Sequence, residues 1–182
     1  MPAEARLIRG KTMGAPLTVH RPIVVQRHIK SAIAAWLIAC SPNLLAKAYF
    51  AGAEEMVQGS VAIAILDISK VEEVEAKGEH WTYRECAQAT VDRTLKGSLP
   101  QHVQLFGNET FICAQVRFQP GRYLAFLRKD GKKLVGANWH LSVRPIKDDQ
   151  VEWYSGKQRL DLSWQPLSAV VEQVNELIKQ SK

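Results

Sequence analysis

The residues whose types could do chemistry are three cysteines, three late histidines and one acidic pair. Cys40, Cys86 and Cys113 are the whole cysteine complement of the 182-residue chain. In an oxidising compartment two thiols pair and the third is left free or modified. Cys86 and Cys113 fall on two expected strands, so they are the first disulfide candidates, with Cα atoms expected about 4.4–6.8 Å apart. Cys40 with Cys113 is the alternative, and a buried free thiol is a further reading of Cys113, because free cysteine packs as a small hydrophobe. No C-x-x-C or H-x-x-x-H spacing occurs, so no metal site is expected. His80, His102 and His140 lie far apart in the sequence and read as isolated side chains. Asp148-Asp149 reads as a solvated turn, since neighbouring residues there point apart. No nucleophile elbow, phosphate loop or dinucleotide fingerprint is present. No catalytic residue and no cofactor is expected.

The charge is unevenly placed. The sequence pI is about 9.3, which invites a nucleic-acid reading. Residues 1–39 hold six Lys and Arg against one Glu, leaving 18 basic against 17 acidic residues in the remainder. A near-neutral domain offers no phosphate-binding surface, so no nucleic-acid partner is expected. Arg27, His28 and Lys30 lead directly into Ser31-Ala-Ile-Ala-Ala-Trp-Leu-Ile-Ala39, nine residues without a charge. A basic region followed by a short apolar run is the pattern of an export signal. It is shorter than the roughly 20 apolar residues that span a bilayer. Residues 1–39 are therefore expected to be a leader, with an upstream extension before about Val24, and residues 40–182 the domain. Two processing sites compete. Leu37-Ile-Ala-Cys40 resembles a bacterial lipobox, which would lipidate Cys40 and make it the mature N-terminus. Ala46-Lys-Ala48 would instead release a chain starting at Tyr49.

The elements that must position any site read as mainly β. Val61, Ile63 and Ile65 alternate, then the phase shifts to Leu66 and Ile68, which predicts a long first strand over 60–71 with a β-bulge. A turn is expected at Glu75–Glu79. A strand is expected from Trp81 to Leu95, with Tyr83, Ala87 and Ala89 on one face and Arg84, Cys86 and Gln88 on the other. His102–Phe106 is a short strand, followed by a turn at Gly107-Asn108. Phe111–Phe118 is extended. Asp130-Gly131 between apolar runs predicts a tight hairpin. Short strands are expected at 143–146 and 151–154. Leu167, Val170, Val171, Val174, Leu177 and Ile178 then fall at helical spacing, with Pro166 suited to a first turn, which predicts a helix over 166–179. Five or six antiparallel strands and one amphipathic helix suggest a small closed barrel with the helix packed on it.

Several pieces carry a family resemblance, in order along residues 40–178. They are Cys40-Ser-Pro, Ala53-Glu-Glu-Met-Val-Gln-Gly59-Ser-Val, and Thr90-Val-Asp-Arg-Thr-Leu-Lys-Gly97-Ser-Leu-Pro. Cys113 follows, then Phe118-Gln-Pro-Gly121-Arg-Tyr-Leu-Ala-Phe-Leu127. This chain resembles the bacterial netrin-like domains related to tissue inhibitors of metalloproteinases. The resemblance implies an OB-type barrel. It also favours a Cys40–Cys113 tie, in keeping with that family's habit of fastening the N-terminus. The inhibitors begin with Cys-x-Cys and chelate protease zinc through the free amine and carbonyl of the first residue. Here the start is Cys-Ser-Pro, and Asn138-Trp-His140 stands where a later cysteine is expected.

The reading of the whole is an exported, membrane-anchored, non-catalytic interaction module of the bacterial envelope. It would be an outer-membrane lipoprotein or a periplasmic protein, with another envelope protein as partner. The alternative is a metalloprotease inhibitor acting through Cys40. Trp139, Trp153, Tyr154 and Trp164 have two readings: a binding surface, since Trp and Tyr are enriched there, or packing that covers the barrel end and seats the helix.

Overall fold

The computed structural model describes residues 49–111, 115–156 and 161–181. The expected leader over 1–39, Cys40 and Cys113 lie outside the described residues. The fold is mainly β. A short helix α1 (Ala53–Gly59) precedes β1 (Ala62–Lys77), β2 (Thr82–Lys96), β3 (His102–Glu109), β4 (Gly121–Asp130), β5 (Lys133–Gly136), β6 (Val143–Lys147), β7 (Gln150–Tyr154) and β8 (Leu162–Pro166). Helix α2 (Leu167–Gln180) ends the fold.

β1 and β4 organise it. β1 pairs antiparallel with β2 on one edge, from Ile63↔Lys96 to Lys77↔Thr82. On the other edge it pairs with β4, from Ala62↔Leu127 to Ile68↔Gly121. Where they pair, Ala62–Leu66 of β1 and Tyr123–Leu127 of β4 are buried on both faces, which is why these stretches read as near-continuous apolar runs. In β4, Leu124 and Phe126 face a core shared with the helices. Tyr123, Ala125 and Leu127 face a second core with Leu66, Ile68, Ala87, Ala89, Val103 and Leu105. The two sets alternate because successive strand residues point to opposite faces. Ile63 and Ile65 of β1 belong to the first core and Leu66 and Ile68 to the second. The register against β2 does shift between Ile65 and Leu66, where a bulge was expected. Against β4 the register is unbroken. The apparent phase change in the sequence thus reflects two-sided burial as well as the bulge.

β2 continues antiparallel into β3, and β3 runs parallel to β5 at Leu105↔Leu134 and Phe106↔Val135. β5 folds back on β4, which also pairs with β6. β6, β7 and β8 form an antiparallel extension. The sheet is therefore not purely antiparallel, and among the described residues it has eight strands where five or six were expected. β8 was missed because none of Leu162-Ser-Trp-Gln-Pro166 is fully buried and its place beside β7 is set largely by backbone pairing. β1 also runs three residues into the expected 75–79 turn.

The expected turn at Gly107-Asn108 lies inside β3 instead. Asn108 takes a left-handed φ of 53°. A Cβ at Gly107 would meet the Phe118 ring at 2.5 Å and the Val116 carbonyl at 2.8 Å, so glycine permits a close backbone approach there. The β4–β5 hairpin is where expected, with Asp130 and Lys133 as the closing pair. Gly131 alone carries the positive φ, 62°, as in a two-residue turn with glycine first. Asp148 and Asp149 form the exposed β6–β7 turn with φ of 48° and 54°.

α2 begins one residue after Pro166, which precedes the helix rather than opening it. Leu167, Val170, Val171 and Val174 form its buried stripe, the i, i+3, i+4, i+7 spacing of an amphipathic helix. They pack with Met56, Val57, Phe126 and Trp153. Leu177, expected in the same stripe, is only partly buried at its end.

Candidate functional site

The four aromatics singled out from the sequence do not form one surface. Trp153 is 1% exposed and stacks on Phe126 at 5.5 Å, with rings 17° apart. Its Nε1 donates to Gln173 Oε1 at 2.9 Å, which seats α2. The hydroxyl of Tyr154 donates to the Ala51 carbonyl at 2.7 Å. Trp164 stands apart on β8, 43% exposed, with the Lys147 ammonium 5.8 Å from its ring centre.

Trp139 joins a different group. Its ring lies 4.9 Å from Phe111 and 6.0 Å from Trp81, and Trp81 lies 5.5 Å from Phe111. All three are half-buried. Trp139 opens a 3-10 turn, Trp139–Ser142, with a left-handed φ of 51°. That backbone conformation costs a bulky L-residue about 1–2 kcal/mol. Asn138 helps fix it: its N–H donates to Ser142 Oγ, and its side chain grips the lead-in segment. Asn138 Oδ1 accepts from Ala51 N at 3.0 Å while Nδ2 donates to the Tyr49 carbonyl at 2.9 Å. One amide thus ties down the start of the described chain, at the position where a cysteine was expected.

Next to Trp81 the β1–β2 loop closes over the end of β4. Asp130, last residue of β4, has a fully buried side chain. Its Oδ1 accepts from His80 N at 3.0 Å and lies 2.8 Å from His80 Nδ1. Its Oδ2 accepts from the Tyr83 hydroxyl at 2.7 Å. Burial alone would raise the Asp130 pKa, but the bonds from His80, Tyr83 and the His80 and Trp81 amides outweigh it and bring it to about 2. Burial, then the bond to Asp130, pushes the Tyr83 phenol well above its usual range. His80 remains 62% exposed, and the exposed Glu79 places a carboxylate oxygen in the same cluster. Among the described residues the side-chain partner of the His80 ring is Asp130.

The other residues named from the sequence are separate. His102 Nδ1 lies 3.4 Å from Thr90 Oγ1. His140 packs edge-on against Phe50 at 5.5 Å, and burial, then the nearby Arg144, lowers its pKa. Cys86 is a free thiol, 4% exposed, rather than a side chain on the open face of β2. Burial, then Glu72, pushes that thiol up. Arg144 was not foreseen. It is 3% exposed, donates to the Leu141 and Glu152 carbonyls at 2.9 and 2.7 Å, and lies against the rings of Trp153 and Tyr154. Charge-assisted bonds and ring faces offset the desolvation of this cation.

The fold and this arrangement define a mainly-β domain with an aromatic trio beside a carboxylate–imidazole pair. No protein-family model matches the chain, and no curated protein matches it either.

Proposed function

We propose that this chain is an exported, non-catalytic interaction module of the bacterial cell envelope, built on a closed OB-type barrel and tethered by a lipid on Cys40. Its partner is another envelope protein, docked on Trp81, Phe111 and Trp139. The barrel part of the reading rests on the pairing circuit. β1 bonds to β2, β2 to β3, β3 to β5, β5 to β4 and β4 back to β1. Each of these five strands has two neighbours, which is what closure requires. The export and tether rest on the basic-then-apolar leader and Leu37-Ile-Ala-Cys40.

The observation that carries the contact is the aromatic trio itself. Half-buried Trp side chains supply large area with few rotatable bonds, the usual anchors of protein interfaces. Trp139 is kept in its group at the cost of a left-handed backbone, and such strain concentrates at functional positions. The test is a photo-reactive phenylalanine analogue placed singly at positions 81, 139 and 164 in the bacterium that makes the protein. A discrete protein adduct from 81 and 139, with none from the lone exposed ring at 164, is the expected result. Adducts from 164 alone, or from none of the three, defeat the reading.

A further inference from the structure

We propose that His80, Asp130 and Glu79 form a site for a divalent copper or nickel ion, in which the metal replaces the proton shared between His80 and Asp130. The three residues each place one ligand-type atom within 4.8 Å of the other two. They come from the β1–β2 loop and the end of β4, 50 residues apart. Cysteine and histidine spacing therefore gave no sign of them, and no metal was expected.

The donor set narrows the metal. His80 Nδ1 and Asp130 Oδ1 are 2.8 Å apart, an ordinary hydrogen-bond separation, so the exposed imidazole must rotate away from Oδ1 to admit an ion between them. Nitrogen and oxygen donors suit Cu(II) and Ni(II), and Cu(II) binds such sets most tightly among the divalent first-row ions. One imidazole and two carboxylates also favour these ions over calcium and magnesium, which prefer all-oxygen sets.

The exchange balances. Neutral His80 carries one ring proton, which sits on Nδ1 when it donates to Asp130. Moving that proton to the solvent-facing Nε2 leaves the Nδ1 lone pair for the metal, with no net proton lost. Asp130 Oδ1 then bonds the metal in place of the Nδ1 proton and keeps its bond from His80 N. Oδ2 keeps its bond from Tyr83. Both Asp130 carboxylate oxygens already act as acceptors, the form in which a carboxylate binds a metal. Glu79 is exposed and has no ion-pair partner among the described residues, so it is free to swing in as the third donor, with water completing the shell. The buried Tyr83–Asp130 bond fixes the carboxylate, as second-shell partners fix metal ligands generally.

The test is titration of the full-length protein with Cu(II) and separately with Ni(II), read by tryptophan fluorescence and by calorimetry. Trp81 follows His80 directly, so a paramagnetic ion at the site quenches it. One equivalent bound with quenching is expected, with affinity falling as pH drops because protons compete for the imidazole. His80→Ala is expected to abolish that equivalent. Glu79→Gln, a surface change that leaves the fold intact, is expected to weaken it about tenfold or more. Binding that is absent in the wild type, or that survives both substitutions at wild-type affinity, overturns the site. Tighter Zn(II) than Cu(II) binding overturns the choice of metal.

Discussion

Asp130 holds a full negative charge where its side chain meets no solvent, and the donors around it belong to three residues of one loop and strand start. Its role in folding has a definite pH signature. The folded-state pKa is depressed from 3.8 to about 2. A carboxylate of that kind contributes stability that is fully present above its unfolded pKa and is lost as pH falls through the folded one. The window is therefore from about pH 4 down to about pH 2. Asp130→Asn removes the charge at every pH and weakens each bond it accepts. We expect it to cost about 2–3 kcal/mol near neutrality, the scale of hydrogen bonds to a buried charge. The gap between variant and wild type narrows as the buffer is taken from pH 4 to pH 2. Urea melts of both proteins across that range measure it. A gap that stays constant would mean that Asp130 is not ionised in the fold.

At the scale of elements, what could be read from the chain depended on whether its signal was local. The β4–β5 hairpin was legible because Gly131 meets the demand for positive φ within two residues. α2 was legible because Val170, Val171 and Val174 repeat at helical spacing over a single run. β8 was not, since its pairing with β7 is a backbone event that polar residues serve equally well. The site was legible only in part. Trp139 was named, but its neighbours Trp81 and Phe111 come from distant connecting segments, while Trp153, named with it, turns into the core by simple alternation. Two predictions belong at this scale. Val174→Asp puts an unpaired charge at a fully buried position between α2 and the sheet. We expect a loss of about 3–5 kcal/mol, and an unchanged thermal melt would refute the docking of α2. In the β6–β7 turn two aspartates hold left-handed φ side by side, where glycine is the natural residue. Asp149→Gly gives up only an exposed 3.7 Å contact to Arg122. It should gain roughly 0.5–1 kcal/mol by relieving backbone strain, seen as a raised melting temperature.

For the whole molecule, the question is what its N-terminal end can do. The alternative function, inhibition of zinc metalloproteases, demands an unacylated α-amine on an N-terminal cysteine, because an amide nitrogen is a poor zinc ligand. Complete lipoprotein processing at Leu37-Ile-Ala-Cys40 acylates that amine together with the thiol. Cleavage after Ala48 discards Cys40 and reaches the same chemical end. In either case the lead-in over Tyr49–Ala51 is held to the domain by the side-chain amide of Asn138 and the hydroxyl of Tyr154. Those bonds fasten the segment without the cysteine that the inhibitor pattern calls for at this place. A hydrogen-bonded tie also serves in a domain whose described cysteine, Cys86, is a free thiol. We therefore expect the purified mature protein to leave zinc metalloproteases fully active, measured as hydrolysis of a quenched peptide with protein in large excess. The mass of the N-terminus, taken on the same sample, tests whether either proposed route is used, against a bare Cys40. Potent inhibition that vanishes when the N-terminal amine is chemically acetylated would reverse the conclusion, because only a bare Cys40 gives that result.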